Sequence, residues 1–416
     1  MAKKQKTTLP MGAPVSGGGK KQLDFTKMSS ILSEFSDHGF LADDEDPCTE
    51  MISTGIYIFN AVLSGSIYGG IPANRITAIG GESGTGKTYV CLNIAREAQK
   101  AGYSVIYIDT ESAIDRNTLS TFGVDPKNTR IERLSVVEDI KIYFAKFLKK
   151  MKELKASGIE LPKMIMFLDS LGMLASRKEV EDAAEGKESA DMTKAKQLRS
   201  LFKIIANDLS MLGIPMVITN HTYMSMGMFP VEVFSGGGGA IYSASTIMML
   251  SKAKLKTGNE GEMDMSSGIV VTAKAYKNRM AKPKKVKFEI DATKGANKYK
   301  GLEVFLTGEN FNTIGVAKGK IDKETGEFKE GGNKYYVSHL DKSFFEKEIY
   351  NGQIFNEKVL NAIDDIVQKE FKYLSLEEAL EYEKNMENEL TKLTSGSNSD
   401  EALESDSSEL DDLFDM

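Results

Sequence analysis

Tryptophan is absent from the 416 residues, and cysteine is nearly so, with Cys48 and Cys91 the whole supply. Two cysteines cannot make a disulfide framework for a chain this long, so a reducing, intracellular compartment is expected. No stretch approaches the ~18 consecutive apolar residues that a membrane helix needs. The early lysines Lys3, Lys4 and Lys6 lead into no apolar run, so no secretory signal is expected. The chain reads as soluble and cytoplasmic, without a membrane partner. Positive charge is not in excess either: 53 Lys and Arg stand against 60 Asp and Glu, a net charge of −7. Any grip on a polyanion must therefore come from local basic or backbone-donor surfaces, not from the global field.

What is present is an ordinary globular composition, 41% hydrophobic and 27% charged. The length suggests two folded parts with tails. Residues 1–24 mix lysines with Gly17–Gly19 and read as a flexible basic arm. Residues 25–53 carry Met28, Ile31, Leu32 and Phe35 at helical spacing, a face that must pack on the same or a neighbouring subunit. Between 54 and 290, short apolar strands alternate with helical patterns. The strand candidates are Arg75–Ile79, Ser104–Ile108, Lys163–Leu168, Pro215–Thr219, Ile247–Leu250 and Gly268–Ala275; helices are predicted to start near Lys87, Val136 and Asp191. That alternation predicts an α/β fold with a mostly parallel twisted sheet covered by helices on both faces. Residues 291–393 read as a small α+β domain, with a hairpin or insertion near Asp322–Gly332 and an amphipathic helix marked by Val359, Ile363, Ile366 and Val367. From 394 to 416 there are eight Asp or Glu and no Lys or Arg, the composition of a disordered acidic tail.

The strongest local signal is Gly81-Glu82-Ser83-Gly84-Thr85-Gly86-Lys87-Thr88, a full G-x-x-x-x-G-K-[ST] phosphate loop between an apolar strand and a helical pattern. Its glycines let backbone N–H groups and a helix N-terminus converge on phosphate oxygens. Lys87 supplies a point charge, and Thr88 a hydroxyl for Mg²⁺. A second magnesium element is expected at the end of a buried strand, where five apolar residues, Met164–Leu168, lead into Asp169; the alternative is a helix-capping loop aspartate. The strand Ser104–Ile108 ends in Asp109-Thr110-Glu111 on the same sheet edge, making Glu111 the candidate base for an attacking water.

These elements, in this order, resemble the RecA family of recombinases, and within it the UvsX-like recombinases of bacteriophages. The resemblance covers about residues 54–290, and more loosely the C-terminal part. It is carried by the phosphate loop, by Ile108–Asp115, by Asp169-Ser170-Leu171-Gly172 through Lys196, by Ile218-Thr219-Asn220-His221, and by the glycine run before Ile241-Tyr242. It implies a RecA-type ATPase core using ATP and Mg²⁺, with Tyr89 joining the phosphate loop in cofactor binding. By match, His221 senses the γ-phosphate; the bland alternative is a loop histidine.

The family holds DNA through two loops. The first lies around Gly172–Asp191, contains Arg177, and leads into a helix whose Lys196, Arg199 and Lys203 share one face. That face fits a phosphate backbone and equally a solvated surface. The second, Thr222–Gly239, combines Met224, Met226, Met228 and Phe229 with Gly236, Gly237, Gly238 and Gly239. Apolar groups can wedge against bases while glycine backbones approach phosphates; a core excursion or lid is the other reading. Lys277 and Arg279 match the cations that reach a neighbour's nucleotide across a subunit interface, against a plain basic strand or DNA-contacting patch. One departure stands out. Asp115 matches the residue that reads the adenine edge, but the aromatic usual three positions on is Thr118 here.

The implied activity is that of a DNA-dependent ATPase that polymerises into a helical filament on single-stranded DNA and exchanges strands with homologous duplex DNA. Its expected partners are a single-strand-binding protein and a recombination mediator. A non-exchanging paralogue and a ring helicase with the same core are the rival readings.

Overall fold

The computed structural model describes residues 24–32, 34–35, 50–187, 193–224, 232–234, 239–255 and 268–395. The predicted basic arm, most of the acidic tail, Cys48, Met226, Met228, Phe229 and Gly236–Gly238 lie outside the described residues. The chain divides into two compact units, Met1–Pro47 and Cys48–Met416. The segments read as a core and a second domain both fall within the later unit.

In the first unit, α1 (Phe25–Leu32) forms where the helical spacing predicts it. Phe25, Met28, Ile31 and Leu32 are all exposed on it, and Phe35 follows in an exposed turn.

The second unit opens with β1 (Met51–Ile52), α2 (Tyr57–Ser64) and β2 (Ile71–Pro72), the two strands pairing antiparallel. Next come β3 (Ile76–Gly81), α3 (Lys87–Lys100), β4 (Ser104–Asp109), α4 (Arg116–Thr121) and β5 (Thr129–Glu132). They are followed by α5 (Val137–Ala156), β6 (Met164–Asp169), α6 (Arg177–Ala184), α7 (Thr193–Met211) and β7 (Met216–Asn220). A hairpin of β8 (Thr222–Met224) and β9 (Glu232–Phe234) precedes α8 (Gly239–Ser243). The long strands β10 (Thr246–Lys254), β11 (Gly268–Asn278) and β12 (Lys285–Asp291), with the short β13 (Gly295–Ala296), complete the sheet. Its nine strands run in the order β13-β12-β11-β10-β3-β7-β6-β4-β5. From β10 through to β5 every pair is parallel; β11, β12 and β13 extend it antiparallel.

The buried strands alternate between two cores. Met164, Met166 and Leu168 of β6 pack with Phe144 and Leu148 of α5 and Leu201 and Phe202 of α7. Ile165 and Phe167 belong to the other core, on the side of the sheet that α3 covers. A strand buried on both faces reads as a continuous apolar run, which is why these segments are conspicuous in the sequence. The helices show the matching stripe: Val137, Ile140, Phe144 and Leu148 are the buried positions of α5. β5, with the polar sequence TRIE at the sheet edge, carries no such signal and is absent from the predicted strands.

Beyond the sheet, α9 (Phe311–Ile314) leads into the antiparallel β14 (Val316–Ile321), β15 (Phe328–Val337) and β16 (Lys342–Phe345). Then come α10 (Glu346–Ile349), α11 (Glu357–Phe371) and α12 (Leu376–Ser395). The first two of these strands enclose the predicted hairpin. Asn356 caps α11 by accepting from the Val359 N–H at 3.0 Å. Buried Asp364 on α11 accepts from the Ile67 N–H and the Ser66 hydroxyl, each at 2.7 Å, and so ties this part to the loop after α2. Among the described residues, no helix is long and apolar enough to cross a membrane.

Candidate nucleotide site

The phosphate loop leaves the C-terminal end of β3 and enters α3 through Gly86, whose φ of 87° lies in the left-handed region that glycine enters without strain. No side chain caps α3. The first N–H groups of α3 are therefore left without a side-chain acceptor, and they and the positive end of the helix dipole face one cavity. A row of unused donors at a helix start is the arrangement that phosphate oxygens satisfy. Lys87 curls over the loop, donating to the carbonyls of Gly81 and Glu82 at 2.8 Å each. Thr85 braces the same turn by donating to Glu82 O at 2.9 Å. Burial pulls the Lys87 amine below its ordinary value, opposed by the carboxylates of Asp169 and Glu111.

The cavity, about 190 Å³, is lined by Ser83, Gly84, Gly86, Lys87, Thr88 and Tyr89 of the loop and helix, and by Glu111, Asp169 and His221. Three parallel strands deliver the last three side chains to one edge. Asp169 ends β6 and is buried, yet its carboxylate is well supplied with donors. Thr88 donates to Oδ2 at 2.8 Å, Tyr107 donates to Oδ2 at 2.7 Å, and the Thr219 hydroxyl donates to Oδ1. Such donors are what make a buried charge tolerable. Burial, reinforced by nearby acids including Asp169, holds the Tyr107 phenol well above its usual range, so it stays a donor. Thr88 and Asp169 offer two adjacent oxygens, a donor set that fits Mg²⁺, which usually takes one or two protein oxygens and completes its shell with water and phosphate. Among the described residues no group of three or more His, Cys, Asp or Glu is placed to hold a metal.

Glu111 follows β4, in a turn fixed by buried Asp109. That carboxylate accepts from the N–H groups of Glu111 and Ala113 at 3.2 Å and of Ile114 at 2.9 Å. Ser170 donates to Glu111 Oε1 at 2.7 Å, and His221 Nε2 lies 3.4 Å from the same oxygen. The carboxylate is partly exposed and faces the cavity, where a water could be oriented.

The remaining sequence candidates sit elsewhere. Asp115 caps α4, accepting from the Thr118 N–H at 2.7 Å, and is not among the residues lining this cavity. Arg177 opens α6 and pairs with Asp139 of α5 at 2.6 Å. Lys196, Arg199 and Lys203 are exposed on α7. Met224 ends β8. Gly239 is buried at the start of α8, where an added Cβ would lie 2.9 Å from the backbone of Arg199. Lys277 donates to the carbonyls of Ile241 and Tyr242 at 3.0 and 3.3 Å, closing the C-terminal end of α8. Burial, with Arg279 beside it, lowers its pKa.

The sequence matches the RecA N-terminal domain family over residues 26–297. The chain belongs to the RecA family. Among its relatives, the "Recombination and repair protein" of Enterobacteria phage T4 is 28% identical over 365 residues, covering 84% of this chain and 89% of the relative. "Protein RecA" of Geobacter sulfurreducens is 27% identical over 332 residues, covering 77% and 88%. "Protein RecA" of Rubrobacter xylanophilus is 27% identical over 347 residues, covering 79% and 92%.

In this RecA-family chain the structure adds four residues to the phosphate site that sequence reading missed. Lys252 of β10 donates to Ser83 O at 2.7 Å, so a second cation stands over the loop. Only the pairing of β10 beside β3 reveals it. Tyr107 and Thr219 could have been inferred, since each lies two residues from a strand-end polar group and so on its face. Phe234 is the fourth. It is 4% exposed, and its ring fills the space beside Gly80, where an added Cβ would come within 2.6 Å. The hairpin β8–β9, which continues directly from His221, is thereby packed onto the strand that launches the phosphate loop.

Proposed function

We propose that this RecA-family ATP-binding protein of recombination and repair is a DNA strand-exchange recombinase that forms filaments on single-stranded DNA. The observation that carries this reading is the convergence of Lys87, Thr88, Glu111, Asp169 and His221 on one cavity, with His221 continuing into a hairpin. Lys87 and the loop N–H groups would hold a triphosphate. Thr88 and Asp169 would hold Mg²⁺, which when bound neutralises phosphate charge. Glu111 would orient and deprotonate water, and His221 would report the terminal phosphate to the hairpin. Within the family we place the chain nearest the phage recombinases, on the T4 relative and on the histidine at 221. The first loop, α7 and the hairpin region are the proposed contacts with single-stranded and homologous duplex DNA. α1, with its exposed apolar side chains, is the proposed self-association element. A single-strand-binding protein and a recombination mediator are the proposed partners, and the host cytoplasm the proposed location.

Electron microscopy of the purified chain with ATP and a poly-dT oligonucleotide is expected to show continuous helical filaments that are lost without nucleotide. Closed rings would favour a helicase, and unassembled particles would end the proposal.

A second test addresses the interface. In the isolated chain Lys277 is occupied by the Ile241 and Tyr242 carbonyls of α8, so reaching a neighbour's nucleotide would free that helix end. Lys277→Ala combined with Arg279→Ala is expected to remove DNA-stimulated turnover, by about 10³-fold as for other arginine-finger-type cations, while nucleotide binding by the monomer survives. Equal loss of both activities would count against a role in trans.

A further inference from the structure

Along β10 the even-numbered side chains share one face of the sheet. Met248 and Leu250 lie on it, buried in the core that α3 covers, whereas Ile247 and Met249 belong to the opposite core. Lys252 is the next residue of that series. Its cross-strand partner Val271 is buried in the same core as Met248 and Leu250, and paired residues point to one side. β3 keeps step with β10 only as far as Gly81↔Leu250. Past that register the neighbour of β10 is no longer a strand but the phosphate loop, so Lys252 emerges beside the loop with its side chain exposed.

Its contact is with the loop backbone. Lys252 Nζ donates to Ser83 O at 2.7 Å, and a Cβ added to Gly84 would lie 2.6 Å from the same nitrogen. Ser83 and Gly84 both line the phosphate cavity. Lys87 holds the carbonyls of Gly81 and Glu82, so the two ammonium groups are bound to consecutive carbonyls, those of Glu82 and Ser83. Burial is the first cause of the lowered Lys87 pKa, and the charge of Lys252 adds to it. Like charges over one short stretch of backbone are unfavourable until an anion lies between them. An ammonium has three N–H donors. Ser83 takes one of those on Lys252, and among the described residues no carboxylate pairs with it.

We propose that Lys252 is a second nucleotide cation supplied in cis: with a triphosphate in the loop, its ammonium bridges the Ser83 carbonyl and the terminal phosphate, favouring ATP over ADP. This rests on the nucleotide reading above and deepens it, from holding phosphates to counting them. The lysine of such a loop reaches the β- and γ-phosphates, and the ammonium bound one carbonyl further on is placed against the same end of the triphosphate. A flexible four-carbon stem lets its unused donors turn inward while the strand stays in register. Lys277 and Arg279, by contrast, would act on a neighbour's nucleotide. The contribution of Lys252 is therefore expected in full from the unassembled chain, without DNA.

The test is equilibrium binding of MgATP and MgADP to the full chain, without DNA, at low and high salt. Lys252→Met is expected to weaken ATP about tenfold and to leave ADP within about twofold of wild type, the scale of one hydrogen bond to a charged group. Its ATP affinity should also fall less steeply with salt, since one cation fewer meets the phosphates. Lys252→Arg, which keeps the charge and the donors, is expected to retain the wild-type preference. Should Lys252→Met fail to melt cooperatively, Lys252→Gln serves the same comparison. Equal weakening of ATP and ADP would mean that Lys252 only braces Ser83, and overturns the inference. So does ATP binding by Lys252→Met at wild-type affinity, or a Lys252→Arg protein that loses the preference as Lys252→Met does; the phosphate site stands in each case. Wild-type protein that binds neither nucleotide overturns both readings.

Discussion

Lys87→Ala is expected to lower ATP turnover by at least about 10²–10³-fold, the usual consequence of removing one preorganised charge from a site where charge develops in the transition state. Release of inorganic phosphate measures it, and turnover at the wild-type rate would refute the nucleotide assignment. The size of the effect follows from geometry. Lys87 is buried with its Nζ shared between two loop carbonyls, so an incoming phosphate meets a cation already desolvated and aimed. The same burial gives a pH signature. An amine with a lowered pKa loses its proton sooner as pH rises, so triphosphate affinity should decline below the ordinary lysine value of about 10.4. Affinity is full on the acid side of that transition, because the charged amine is the binding form.

The second large effect is expected at Glu111. Glu111→Gln keeps the side-chain shape and still accepts from Ser170, but it cannot take a proton from water. Turnover should fall by about 10²–10⁴-fold, the range for loss of a positioned general base, while the dissociation constant for ATP changes little. Because nucleotide is bound but not consumed, filaments formed by this variant should outlast those of the wild type in the microscope. A variant that hydrolyses normally would remove Glu111 from the mechanism and leave Ser170 and His221 as structural neighbours only.

These expectations were accessible because the chemistry lies at the ends of strongly patterned strands. The apolar run Met164–Leu168 announces both a strand and the carboxylate that terminates it, and the phosphate loop sits where a strand pattern yields to a helix pattern. Legibility fails where partners come from distant sequence. Lys252 reaches Ser83 only because β10 pairs beside β3. Lys277 looks like one cation in a basic stretch until α8 is seen to end at its side chain. The segment after His221 reads as a glycine-hinged loop, since three-residue strands carry too little pattern; the register Thr222↔Phe234, Tyr223↔Val233 and Met224↔Glu232 appears only in three dimensions.

The ring of Phe234 stands in the room that any side chain at position 80 would need, as a wedge does in a slot. Close-packed interiors do not open gaps freely, so a shift of the Gly80–Gly81 backbone has two outcomes: the wedge follows, or it is expelled. Either way the hairpin cannot stay where it was. The contact of Phe234 with Gly80 thus ties the placement of the β8–β9 pair to that of the strand that launches the phosphate loop.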